Sequence, residues 1–198
     1  MVVLASPLTP IALESSFPAP FVDGVDLNCG CPQKWAYQEK IGAFLLRQPN
    51  TVRDLVRAAK DRLGWDYPVS IKIRVDSDAK HTQQLVETAL QVGISHLTVH
   101  GRTRQTASSQ PVDLPAIKFA RELVGGKVPV VANGDAWSYE DVVMMREQTG
   151  VQGVMAARGL LANPVRRILP CSAIHACSQT NPLFRLSDRS RVSSPTTT

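Results

Sequence analysis

Five short stretches of aliphatic and β-branched residues recur along the middle of the chain, separated by longer segments with helical spacing. They are "GVDLN" (24–28), "PVSIKIR" (68–74), "SHLTVH" (95–100), "VPVVAN" (128–133) and "VQGVMAA" (151–157). Each reads as near-continuously apolar, the pattern of a strand covered on both faces. Between them the helices have legible ends. Thr51 with Asp54 has the spacing of a capping box, and Val52, Leu55, Val56, Ala59 and Leu63 form one stripe that stops at Gly64. Leu85, Ala89 and Val92 repeat that spacing up to Gly93. Asp113 opens "LPAIKFARELV", closed by Gly125, and Ser138 with Asp141 opens "YEDVVMMREQT", closed by Gly150.

Strand and helix alternating in this way predict a parallel α/β sheet. The repeat distance suits either a doubly wound sheet or a (β/α)8 TIM barrel. No G-x-G-x-x-G follows any strand, which argues against a dinucleotide-binding fold. Polar residues gather at the carboxyl ends of several different strands, where barrels build their sites. The expected fold class is therefore α/β of the (β/α)8 TIM-barrel type.

Only about five βα units are visible where a barrel needs eight, so the expected barrel is incomplete and lacks its first three strands. Residues 1–21, with Pro7, Pro10, Pro18 and Pro20, read as an irregular leader. Residues 22–164 read as the partial barrel domain, and residues 165–198 as a basic tail of low order, ending in Ser, Thr and Pro. A partial barrel leaves open edges on a parallel sheet. The chain thus reads as a truncated or alternatively spliced form.

Composition changes this picture little. Of 198 residues, 43% are hydrophobic and 20% charged, which is ordinary for a domain with a core. No apolar run reaches the roughly 18 residues that a membrane-spanning helix requires. The four cysteines, Cys29, Cys31, Cys171 and Cys177, lack zinc-ligand spacing, so no metal is expected, and they read as reduced thiols of an intracellular, cytoplasmic protein. The net charge of +5 lies mostly in residues 165–198, where five arginines face only Asp188. Overall basicity is therefore a weak argument for nucleic-acid binding.

The strand ends carry the candidate chemistry. In order they present Asn28, Cys29 and Cys31; Lys72 and Arg74; His100, Gly101, Arg102 and Arg104; Asn133, Gly134 and Asp135; and Ala157, Arg158 and Gly159. Loops after the last two strands of a barrel, with backbone amides freed by glycine, commonly hold a phosphate. "NGD" and "ARG" suit that role, with Arg158 as the charge partner. Lys72 is either a core-edge amine paired with Asp76 or Asp135, or a cation beside the N1/O2 edge of a flavin. The cations Lys34, Lys72, Arg74, Arg102, Arg104 and Arg158, all at or just beyond strand ends, would place positive charge at the barrel mouth.

"VDLNCGCPQ", "SIKIRV", "LTVHGRTR", "PVVANGD" and "GVMAARGLLANP", in this order, resemble the tRNA-dihydrouridine synthase family over residues 22–164. "CGCPQKW" and "RGLLANP" are most similar to its eukaryotic branch acting on D-loop positions 20a and 20b. The resemblance implies an FMN-binding barrel, NADPH as reductant, and tRNA as the partner whose uracil is flipped into the site. Reduced flavin would give a hydride to C6, and Cys31 would protonate C5 from the other face. Asn28 would orient the pyrimidine, with Arg74 and Arg102 also on the substrate side. Lys72 and His100 match flavin contacts; Asn133, Gly134, Asp135, Ala157 and Arg158 match contacts at the phosphate end. Phe44 stands where the family usually has a smaller residue. Two alternatives remain: another FMN barrel that reduces free pyrimidines, and a non-catalytic remnant with weak RNA or partner binding.

Overall fold

A computed structural model describes residues 2–4 and 22–162 of the chain. Six parallel strands form one sheet in the order β1-β2-β3-β4-β5-β6. They are β1 (Val2–Leu4), β2 (Val25–Cys29), β3 (Val69–Arg74), β4 (Leu97–His100), β5 (Val130–Asn133) and β6 (Gly153–Met155). The helices are α1 (Lys34–Gln38), α2 (Pro49–Leu63), α3 (Ala79–Gln91), α4 (Leu114–Val124), α5 (Tyr139–Thr149) and α6 (Arg158–Ala162), with a 3-10 turn at Gly42–Arg47. The basic tail expected at 165–198 lies outside the described residues.

Strand order decides the architecture. A doubly wound sheet reverses its order and carries helices on both faces, whereas here the order follows the chain. The helices α2, α3, α4 and α5 pack successively against one another in one layer. This is an arc of a (β/α) barrel, as the sequence predicts.

β2, β3 and β4 alternate, which corrects the expectation that they are apolar on both faces. On the helix-facing side the register stacks Leu27, Ile71, Leu97 and Val130, with Cys29, Ile73, Val99, Ala132 and Val154 in the next row. These side chains meet Val52, Val56, Leu85, Val86, Ala89, Ile117, Ala120 and Met145 in the core. The opposite face aligns Asn28, Lys72, Thr98, Val131 and Gly153 in one row and Arg74, His100, Asn133 and Met155 in the next. "VDLNC" and "SIKIR" thus carry a period-2 signal that their high apolar content conceals.

Local capping explains the starts of α3, α4 and α5. The Asp113 carboxylate accepts from Ala116 N at 2.9 Å, and Ser138 with Asp141 forms a full capping box. α2 differs from expectation. It starts at Pro49 rather than after Thr51, with Gln48 at the N-cap. Proline at the first helical position has φ already set and loses no needed N–H, so it moves the start forward. β1 is the second difference, because it lies inside the segment expected to be an irregular leader. Its three apolar residues pair with Val25, Asp26 and Leu27, satisfying backbone groups along what would otherwise be an open edge.

Candidate active site at the strand ends

The Cys31 loop is built by short contacts. Asn28 Oδ1 accepts from Gly30 N at 3.0 Å, turning the chain as soon as β2 ends. Arg74 Nε donates to Gly30 O at 2.9 Å, and its Nη1 to Thr103 O at 2.8 Å. One guanidinium therefore ties the β2 loop to the β4 loop, a clamping role that its rim position alone does not indicate. Cys29 is fully buried in the helix-facing core, where burial pushes its thiol well above the usual range. Cys31 is free and only partly buried.

Gly42 completes the seat under Cys31. Its φ is +60°, and a Cβ there would meet Cys31 Cβ at 2.7 Å and Cys31 O at 2.8 Å. Ala43 N donates to that same carbonyl at 3.0 Å. We therefore expect Gly42→Ala to displace the Cys31 loop and to cost about 1–3 kcal/mol, from left-handed strain plus overpacking. Urea unfolding with a smaller change in Cys31 environment than in global stability would contradict that assignment. Sequence reading missed Gly42, although a glycine opening "GAFLLR" with no turn to explain it was a signal. Phe44 packs edge-on against Tyr37, with ring centroids 5.3 Å apart.

At the end of β4, His100 and Arg102 are organised together. Arg102 is 2% exposed. It donates to both carboxylate oxygens of Asp135, at 2.8 and 2.7 Å, and to the carbonyls of Gln110 and Ser108. Asp135 also accepts from Val112 N at 3.1 Å and from Arg158 at 3.3 Å. Arg102 and Asp135, expected on the substrate and phosphate sides, thus pair a buried guanidinium with a half-buried carboxylate and tie the β4 and β5 loops together. Arg102 Nη1 lies 3.3 Å from His100 Nε2. An arginine only donates, so Nε2 accepts and the neutral ring carries its proton on Nδ1.

Burial first, and then the cations of Arg74, Lys72 and Arg102, push the His100 imidazolium down to about 3, against a smaller upward pull from Asp135. The unfolded chain takes up this proton near pH 6.5, and the folded chain does not until near 3. The folded state therefore loses stability as pH falls through that window. His96, also pushed down by burial, acts in the same direction, while the Asp26 carboxyl, pushed up by burial, opposes it. We expect the urea midpoint to fall from pH 7 to 5 and His100→Asn to reduce that fall. An equal fall in the variant would remove His100 from the account.

The remaining predicted residues line a small pocket of about 80 Å³: Asn133, Gly134, Asp135, Ala157 and Arg158, with His100 and Arg102. Asn133 Nδ2 donates to Met155 O at 2.9 Å, holding β5 to β6. Gly134 has φ +122°, and a Cβ would collide with Val112 Cγ1 and meet the His100 ring at 3.1 Å. Only glycine lets the loop backbone lie this close to the imidazole. Arg158 stacks 4.9 Å from the Trp137 ring centroid, a partner that the sequence did not flag. Lys72 lies in the row beneath, beside Asn28 and Thr98. Asp76 is held by Arg47 and Asp135 by Arg102, so neither carboxylate suggested for Lys72 is its partner.

No helix among the described residues is long and apolar enough to cross a membrane, and no group of three or more potential metal ligands occurs among them.

Comparison with known proteins assigns a family. The pattern described as dihydrouridine synthase (Dus) matches residues 17–179, extending beyond the motif-bearing segment at both ends. A Schizosaccharomyces pombe protein named tRNA-dihydrouridine(20a/20b) synthase [NAD(P)+] is 46% identical over 157 residues, 78% of this chain and 48% of that one. A Homo sapiens protein named tRNA-dihydrouridine(20a/20b) synthase [NAD(P)+]-like is 44% identical over 146 residues, 73% of this chain and 45% of that one. The chain thus spans about half the length of the curated relatives it matches. Among solved structures, ligand-free type DHODH from Eimeria tenella aligns with TM-score 0.58 at 15% identity, over 79% of this chain and 51% of that one. That similarity carries the barrel fold alone.

Proposed function

Because this chain belongs to the dihydrouridine synthase family, we propose that its concave strand ends form the FMN and uridine site of a tRNA-dihydrouridine synthase that uses NADPH. The D-loop uridines 20a and 20b are the target class, as in the names of its relatives. The observation that carries this reading is the register of one face. Asn28 and Lys72 lie side by side, His100 and Asn133 stand in the row above, and the Cys31 loop closes the β2 end.

The residues present fit FMN. Lys72 offers a cation between the polar Asn28 and Thr98, and the neutral His100 offers an Nδ1–H donor. The phosphate end would lie in the pocket between Gly134 and Ala157, with Arg158 as its charge partner. Bound FMN supplies the two-electron chemistry that saturates the uracil 5,6 double bond. Cys31 then acts as the general acid at C5, and Asn28 holds both the turn that presents the thiol and the edge of the base. Arg74 and Arg102 act through the loops they tie together.

The test replaces the matching segment of the Schizosaccharomyces pombe relative with residues 22–164 of this chain. With FMN and NADPH, the chimera should add two hydrogens to a D-loop uridine, read by mass spectrometry of tRNA digests. Reduction of free uracil with tRNA untouched would reject tRNA as substrate. A folded chimera inactive on both would reject the catalytic reading.

A further inference from the structure

Asp26 is a charged side chain that the proposed chemistry does not use, yet it is 2% exposed. It lies on β2 in register with Ser70, and Asn28, two residues on, is in register with Lys72. Asp26 and Lys72 therefore occupy the same concave face, one row apart on adjacent strands. Ser70 Oγ donates to Asp26 Oδ1 at 2.7 Å, fixing the carboxylate beneath the lysine. The charged or titratable groups around Lys72 are Asp26 from β2, Arg74 from its own strand, and His100 from β4, while Asp26 also faces His96, just before β4. Arg74 repels an ammonium, and the neutral His100 contributes no balancing charge. Asp26 is the one anion among them.

We propose that Asp26 is the positioning residue for Lys72, a buried counter-charge, clamped by Ser70, that keeps Lys72 an ammonium in the site. The inference gives a physical basis to the cationic role assigned to Lys72 above, and it rests on that reading only for its functional meaning. Burial and Arg74 both push the lysine down, and Asp26 pushes it back up, in line with the geometry. Without the carboxylate, a desolvated amine beside a guanidinium sheds its proton at a lower pH. A neutral Lys72 would no longer stabilise an anionic ring edge.

The experiment reads the lysine directly and requires no flavin. In the 198-residue chain, competitive labelling with acetic anhydride across pH, followed by peptide mass spectrometry, gives the Lys72 titration midpoint. Asp26→Asn should lower that midpoint by about one unit or more, a roughly tenfold rise in the neutral fraction below it. Asp26→Glu should recover part of the shift. Ser70→Ala, which keeps the carboxylate but frees it, should shift the midpoint in the same direction by less, and it carries the test if Asp26→Asn does not fold. An unchanged midpoint in a folded Asp26→Asn, or failing that in Ser70→Ala, overturns the proposal. FMN affinity is measured separately. A shifted lysine without flavin binding would reject the flavin reading and leave the Asp26–Lys72 relation standing.

Discussion

Cys31→Ala should lower dihydrouridine formation by about 10²–10⁴-fold while leaving reduction of the flavin by NADPH intact. The two steps use different groups. Reduction of the cofactor needs the pocket that holds it, whereas protonation of C5 needs an acid facing the base. Cys31 is the partly buried thiol at the turn held by Asn28, Arg74 and Gly42, while Cys29 is sealed in the core on the other face of the sheet. Cys29→Ala should therefore affect stability and leave the chemical step nearly unchanged. Single-turnover measurements in the chimera separate the two steps. Loss of product formation in Cys29→Ala with retention in Cys31→Ala would reverse the assignment.

Asp135→Ala should be the most damaging change to stability among the site residues, by about 3–5 kcal/mol. The carboxylate neutralises a guanidinium that is buried beneath it, and it also accepts from Val112 N and Arg158. Removing it leaves Arg102 charged, desolvated and held only by neutral acceptors, the Gln110 and Ser108 carbonyls and the His100 ring. Asp135 sits at φ +46°, so alanine also takes on left-handed backbone strain. Arg102→Ala with Asp135→Ala should restore part of the loss, because no charge is then buried unpaired. Urea denaturation of the two single variants and the double variant measures this. Additive losses would show that the pair is not coupled.

The parts of this structure legible in the sequence are those determined over a few residues. Asp113 and Ser138 cap their helices as read, because a cap needs only its own first turn. The strand ends named in the sequence do come together along one edge of the sheet, since parallel strands in a barrel all point their carboxyl ends one way. The strand faces were misread because Leu, Ile and Val flank every polar position in "VDLNC" and "SIKIR", which hides the alternation. β1 escaped notice because three residues are too few to show a period. What the sequence could not display are contacts between distant segments. Arg102 meets Asp135 across 33 residues, and Arg74 meets Gly30 across 44. Both arginines look like free rim cations until the fold brings their partners alongside.

Whether the concave strand ends hold FMN is tested most directly by titrating the chain into FMN and following quenching of flavin fluorescence. Saturable, reversible binding is expected, weakened about tenfold or more by either Lys72→Ala or Arg158→Ala, in line with the loss of one charge-assisted contact of about 1.5–3 kcal/mol. Leu161→Ala, at an exposed position beyond the pocket, should leave the curve unchanged. Absence of saturable binding, or binding that is the same in all three variants, would contradict an FMN site at the strand ends.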